Sequence, residues 1–161
     1  WIIQSSPLSV SRFLKEKFWL SLFPLLILGG FLVLVSNLLL KTDVFMTLLS
    51  LGSVEVMVVG LNSLALGMGA IYPEFRVENI SQVESSLGGI LFMIYALFYV
   101  GIIIALEALP VRSYFQYSLG LRGSFYWPAI AIIIMVFLIV NLIVIWLPLR
   151  LGKKALLNYE E

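Results

Sequence analysis

The stretch Val44–Ile71, VFMTLLSLGSVEVMVVGLNSLALGMGAI, decides the fold. It runs for 28 residues, and Glu55 is its only acidic or basic side chain. A helix rises about 1.5 Å per residue, so this run is longer than the roughly 30 Å hydrocarbon core of a bilayer. Lys41-Thr42-Asp43 precedes it and Tyr72-Pro73 closes it. Working outward, three further apolar runs cover residues 18–40, 87–109 and 125–149. The expected architecture is all-α: a polytopic membrane protein with four transmembrane helices, forming a single transmembrane domain over residues 1–161.

Composition agrees. Hydrophobic residues make up 61% of the chain and charged ones 12%, against about 45–50% and about 25% in soluble domains. Too little polar surface exists to face water, so the lipid bilayer is the expected solvent. The net charge is +1, and the basic residues sit at span ends rather than in a stripe, so no nucleic-acid partner is expected. The chain has no cysteine and no histidine. That removes disulfides, thiolate metal sites and the commonest general base. No HExxH, GxSxG or phosphate-loop pattern is present; Gly152-Lys153 lacks the upstream glycine. The chain is therefore not expected to be an enzyme, to hold a metal or to carry a cofactor of its own.

The segments between the spans have their own signals. Residues 6–17 read as an amphipathic interfacial helix, with Ser6 as cap and Pro7 at the first turn. Pro24 and Gly29-Gly30 are candidate kinks in the first span. The three residues 41–43 imply a tight antiparallel hairpin. Residues 74–86 form a polar loop in which Ser81 to Glu84 has the form of a capping box for the third span. Pro110 is the expected end of that span, and Tyr114, Tyr117, Tyr126 and Trp127 suit an aromatic belt at the interface. Four spans put both termini and the 74–86 loop on one side. That side holds Arg12, Lys15, Lys17, Arg76, Arg150, Lys153 and Lys154; the other holds Lys41, Arg112 and Arg122. The excess makes the termini and the loop cytoplasmic.

Candidate site residues lie mainly inside the spans. An acid at the centre of a span costs about 3 kcal/mol on insertion scales, so Glu55 should avoid lipid. Glu55, Asn62 and Gly69 recur every seven residues and share one face; Ser53, Gly60 and Gly67 form a nearly opposite face. Span two should therefore be the most enclosed helix, with two faces turned away from lipid. Glu55, Asn62 and Asn141 line a translocation path or make polar contacts between helices, Glu55 with Asn141 among them. Glu107, near Pro110, reads as an interfacial acid.

Several segments resemble the type-2 permeases of bacterial ATP-binding-cassette exporters. WIIQSSPLS at residues 1–9 is similar to their W-x-x-x-S/A-x-P-x-S entry. LGMGAIYPEFRVEN at residues 66–79 is similar to their G-x-G-A-x-x-P-x-F-x-x-E-N segment, SSLGG at 85–89 to the start of the next span, and LRLGKKAL at 149–156 to the exit into the cytoplasm. The resemblance covers essentially the whole chain and matches the C-terminal portion of a longer permease. It implies a transmembrane permease subunit of an ATP-driven exporter in the bacterial inner membrane. It also implies a separate nucleotide-binding ATPase subunit, and a second membrane subunit or a homodimer. Glu74, Phe75, Arg76, Glu78 and Asn79 would be the coupling residues toward the ATPase. From the residues alone, a non-transport membrane scaffold packed within a larger complex stays open, as does an ion-coupled carrier using Glu55.

Overall fold

The computed structural model describes residues 10–73, 86–120 and 127–158. Their regular structure is helical throughout: α1 (Val10–Leu40), α2 (Val44–Ile71), α3 (Leu87–Ser118) and α4 (Trp127–Asn158). All four are long and apolar enough to cross a membrane. Lipid offers the backbone no hydrogen-bond partners, so a spanning segment must satisfy its own amides, which a helix does.

The amphipathic stretch 6–17 is not a separate helix among the described residues. From Val10 it runs unbroken into the first span. No helix breaker stands between Val10 and Pro24, and its charged residues fit a continuing helix. Arg12 pairs with Glu16 one turn on at 3.0 Å, and the Lys17 ammonium lies 5.9 Å from the Phe13 ring centre. Residues 1–9 lie outside the described residues.

The helix ends differ from the sequence expectation at Pro110 and at Leu149. α3 passes through Pro110 to Ser118, and α4 runs on past the basic residues to Asn158. A proline removes one backbone hydrogen bond, but in a membrane helix the packed surroundings tolerate it. Ser86 caps α3, its side chain accepting from the Gly89 amide at 3.1 Å; the Ser81 to Glu84 capping box lies outside the described residues.

The α1–α2 turn is built from short-range chemistry. Lys41 adopts φ 50°, the left-handed conformation that ends many helices. The Lys41 amide then reaches Leu38 O at 3.3 Å and the Thr42 amide reaches Asn37 O at 3.2 Å. Thr42 Oγ1 donates to Asn37 Oδ1 at 2.8 Å, and Asn37 Nδ2 donates to Ser50 Oγ at 2.7 Å. This network clamps the start of α2 to the end of α1. The extension of α3 beyond Pro110 meets the same turn. Tyr114 donates to Asp43 Oδ2 at 2.9 Å and stacks on Phe45 with ring centres 4.4 Å apart.

α2 sits at the centre. It packs on α1, α3 and α4, whereas α1 and α3 do not pack on each other among the described residues. Its buried set is small and polar as much as apolar: Ser53, Gly60, Asn62, Ser63 and Gly67 join Leu64, Met68 and Ala70. The outer helices keep large apolar side chains exposed, such as Phe31 and Leu38 on α1, Leu97 and Phe98 on α3, and Leu142 and Trp146 on α4. Ser53, Asn62, Ser63 and Asn141 are buried among apolar residues while large apolar side chains cover the outside, unlike the surface of a water-soluble bundle.

Candidate functional site

The polar side chains of the spans fall into three clusters around α2. The first joins α2 to α1. Asn62 is buried; Ser21 Oγ donates to its Oδ1 at 2.8 Å, and its Nδ2 donates to the Phe18 carbonyl at 3.2 Å. An amide that finds an acceptor and a donor on the facing helix ties two spans, with each such bond worth about 0.6 kcal/mol on average. Glu55 lies two turns before Asn62 on the same face, half-buried. It looks onto Gly30 of α1: a Cβ built there would meet its carboxyl oxygen at 2.6 Å. The missing side chain at Gly30 makes room for the acid.

The second cluster joins α3 to α4 across α2. Tyr99 donates to Asn141 Oδ1, and Asn141 Nδ2 donates to the Phe137 carbonyl at 2.7 Å. Both residues are buried. Gly60 of α2 lies under the phenol, where an added Cβ would come within 2.5 Å of its oxygen. Two helix turns further on, Gly67 packs directly against the Pro148 backbone, and a Cβ at Gly152 would lie 2.9 Å from the Ala70 Cβ. The Ser53, Gly60 and Gly67 face is thus the one on which α3 and α4 close.

Glu55 and Asn141 are not brought together. Glu55 faces α1 and Asn141 bonds α3. Gly69, on the Glu55 and Asn62 stripe, has no neighbour within 4 Å of a built Cβ. That stripe therefore stays in contact only as far as α1 covers it. Glu74, Phe75, Arg76, Glu78 and Asn79 lie outside the described residues.

The third cluster was not among the expected sites. Glu107 lines a cavity of about 300 Å³ between α2, α3 and α4, together with Ser53, Leu49, Leu106, Pro110 and Phe137. Its Oε1 is buried and has no hydrogen-bond partner. α3 continues past Glu107 and through Pro110 to Ser118. Tyr99 was also missed. A tyrosine in mid-span is itself a signal, since a buried phenol needs a partner.

A family model described as "Putative ATP-binding cassette" matches residues 1–160. The chain belongs to this family. No curated protein and no solved structure matches it. Membership corrects the resemblance drawn from the sequence: the family is described as an ATP-binding cassette, not as an exporter permease. With it falls the reading of the chain as an exporter's permease subunit. The physical reason lies in what carried the resemblance. Small-residue runs and basic span exits serve helix packing and anchoring in any membrane protein.

Proposed function

We propose that this chain is the bilayer-embedded helical body of an ATP-binding-cassette system, with nucleotide bound elsewhere in that system. The observation that carries this reading is the exposed apolar surface of all four helices, each long enough to span a membrane, with Asn62 and Ser63 of α2 and Asn141 of α4 buried between them. Family membership supplies the system. The sequence supports placing the nucleotide elsewhere, since it has no glycine-rich phosphate loop. The reading gives the chain a place in the membrane and no transport step of its own.

Its partners are then the lipid bilayer, a nucleotide-binding ATPase subunit, and a second membrane subunit or a second copy of the chain. The exposed apolar faces of α1, α3 and α4 suit further membrane helices. Residues 74–79, with Glu74, Arg76 and Glu78, suit charge-assisted contacts with the ATPase. The surplus of Lys and Arg at the terminal side favours cytoplasmic termini in a bacterial inner membrane.

The test is photolabelling of native membranes with an azido-ATP analogue, followed by gentle detergent purification of this chain. The expected result is a co-purifying ATPase subunit that carries the label while this chain carries none. Label on this chain, or purification free of any ATPase, overturns the reading.

A further inference from the structure

At one end of the bundle the start of α1 meets the last turns of α4. Between them lies a groove of about 230 Å³, lined by Leu14, Lys15 and Phe18 of α1 and by Leu149 and Lys153 of α4. Both lysines are exposed, and neither has an ion pair or a ring contact among the described residues. Their basic neighbours are engaged: Arg12 with Glu16, Lys17 over Phe13 and Arg150 over Trp146. No acidic residue lines the groove. Two cationic side chains from different helices therefore border one apolar groove, with no anion among the described residues to balance them. Each carries its charge on a flexible four-carbon stem, so both can reach a single phosphate.

Two aromatic residues set the depth. Trp19 follows Lys15 by one turn and Trp146 precedes Arg150 by one turn, and they are 64% and 59% exposed. Exposed tryptophans on spanning helices mark the headgroup level of a bilayer. The groove thus lies where phosphate and hydrocarbon meet. A free phosphate would leave its apolar floor uncovered, and a zwitterionic headgroup brings its own cation beside the phosphate. A lipid with net negative charge matches both the lysines and the floor, as basic pockets between membrane helices do for anionic headgroups.

We infer that the groove between the start of α1 and the end of α4 binds one anionic phospholipid, its phosphate held by Lys15 and Lys153 and part of an acyl chain against Leu14, Phe18 and Leu149. The inference rests on the chain's place in the bilayer and is independent of where nucleotide binds.

The experiment uses the full chain in dodecyl maltoside micelles, titrated with dioleoyl phosphatidylglycerol and read by native mass spectrometry. Placement in the bilayer is read first, by the need for detergent to keep the chain dispersed; the lipid count is read second. The expected result is one phosphatidylglycerol retained per chain in preference to phosphatidylcholine with the same acyl chains, and not displaced by millimolar inorganic phosphate. Lys15→Gln and Lys153→Gln each weaken retention about fivefold, the worth of one basic residue at an anionic surface, and together roughly 25-fold. Lys15→Arg with Lys153→Arg keeps the charge and the binding. Lys17→Gln, which removes a charge from the same end of α1 but not from the groove, binds within about twofold of the parent, because only groove charges touch the phosphate. Each variant is first checked for an unchanged elution profile and helical content. Equal retention of phosphatidylcholine, displacement by phosphate, or undiminished retention by the folded double Gln variant would overturn the inference. If an acidic protein segment fills the groove instead, no lipid is retained, and that result overturns it as well.

Discussion

The two buried faces of α2 hold their neighbours in different ways. Toward α1 the contact is made by side chains: Asn62 with Ser21 and the Phe18 carbonyl, and Asn37 with Ser50. Toward α3 and α4 it is made by what is missing, with Gly60 beneath Tyr99 and Gly67 against Pro148. Hydrogen bonds between membrane helices are individually weak, because an unpacked span also finds partners. A backbone-to-backbone approach has no such substitute, because a side chain placed in it must push the helices apart. The α1 side should therefore tolerate change, and the α4 side should not.

Gly67→Val probes that contrast most severely. The new side chain meets the Pro148 backbone, which cannot swing aside, and the loss should be about 3 kcal/mol, the upper range for overpacking. SDS-driven unfolding in bicelles measures it; a loss below that of Asn62→Ala would erase the distinction between the faces. Asn141→Leu comes next. It leaves the buried Tyr99 hydroxyl without its acceptor, at a cost of about 1–3 kcal/mol, and Tyr99→Phe in the same background should recover part of it. If the double variant is no better than the single, the phenol and the amide are not coupled.

Asn62→Ala should cost about 0.6 kcal/mol, the average for a bond between membrane helices. Gly30→Ala, on the same interface, should cost no more, because the atom it meets is the far end of the flexible Glu55 side chain. The smallest effect has the opposite sign. Lys41 holds a left-handed conformation at φ 50°, which is unfavourable for a residue with a Cβ by about 1 kcal/mol. Lys41→Gly should stabilise the hairpin by a few tenths of a kcal/mol, since glycine's gain in the turn is partly offset by its freer unfolded chain.

The same contrast explains what was legible in the sequence. The bounds of α2 were readable because polar, turn-forming residues stand on both sides of an apolar run. The ends of α3 and α4 were not, because Pro110 and the basic residues near Arg150 signal a stop only when water competes for the backbone. Both helices continue past these residues, and the Arg150 guanidinium lies over the Trp146 ring at 4.6 Å. The seven-residue spacing of Ser53, Gly60 and Gly67 marked a packing face correctly in kind but named no partner. Tyr99 lies far from Asn141 in sequence, and only the packing of α3 on α4 brings them together.

The central claim is that α2 stands between α1 and α3 in the membrane and packs on α4. The chain has no cysteine, so paired substitutions report cleanly. Ala70→Cys with Gly152→Cys joins α2 to α4 at a site of direct contact. Phe31→Cys with Phe98→Cys places thiols on the exposed outer faces of α1 and α3. Oxidation in native membranes should link the first pair within one chain and leave the second unlinked within a chain. An intrachain link between Phe31→Cys and Phe98→Cys, with none between the α2 and α4 positions, would contradict the arrangement.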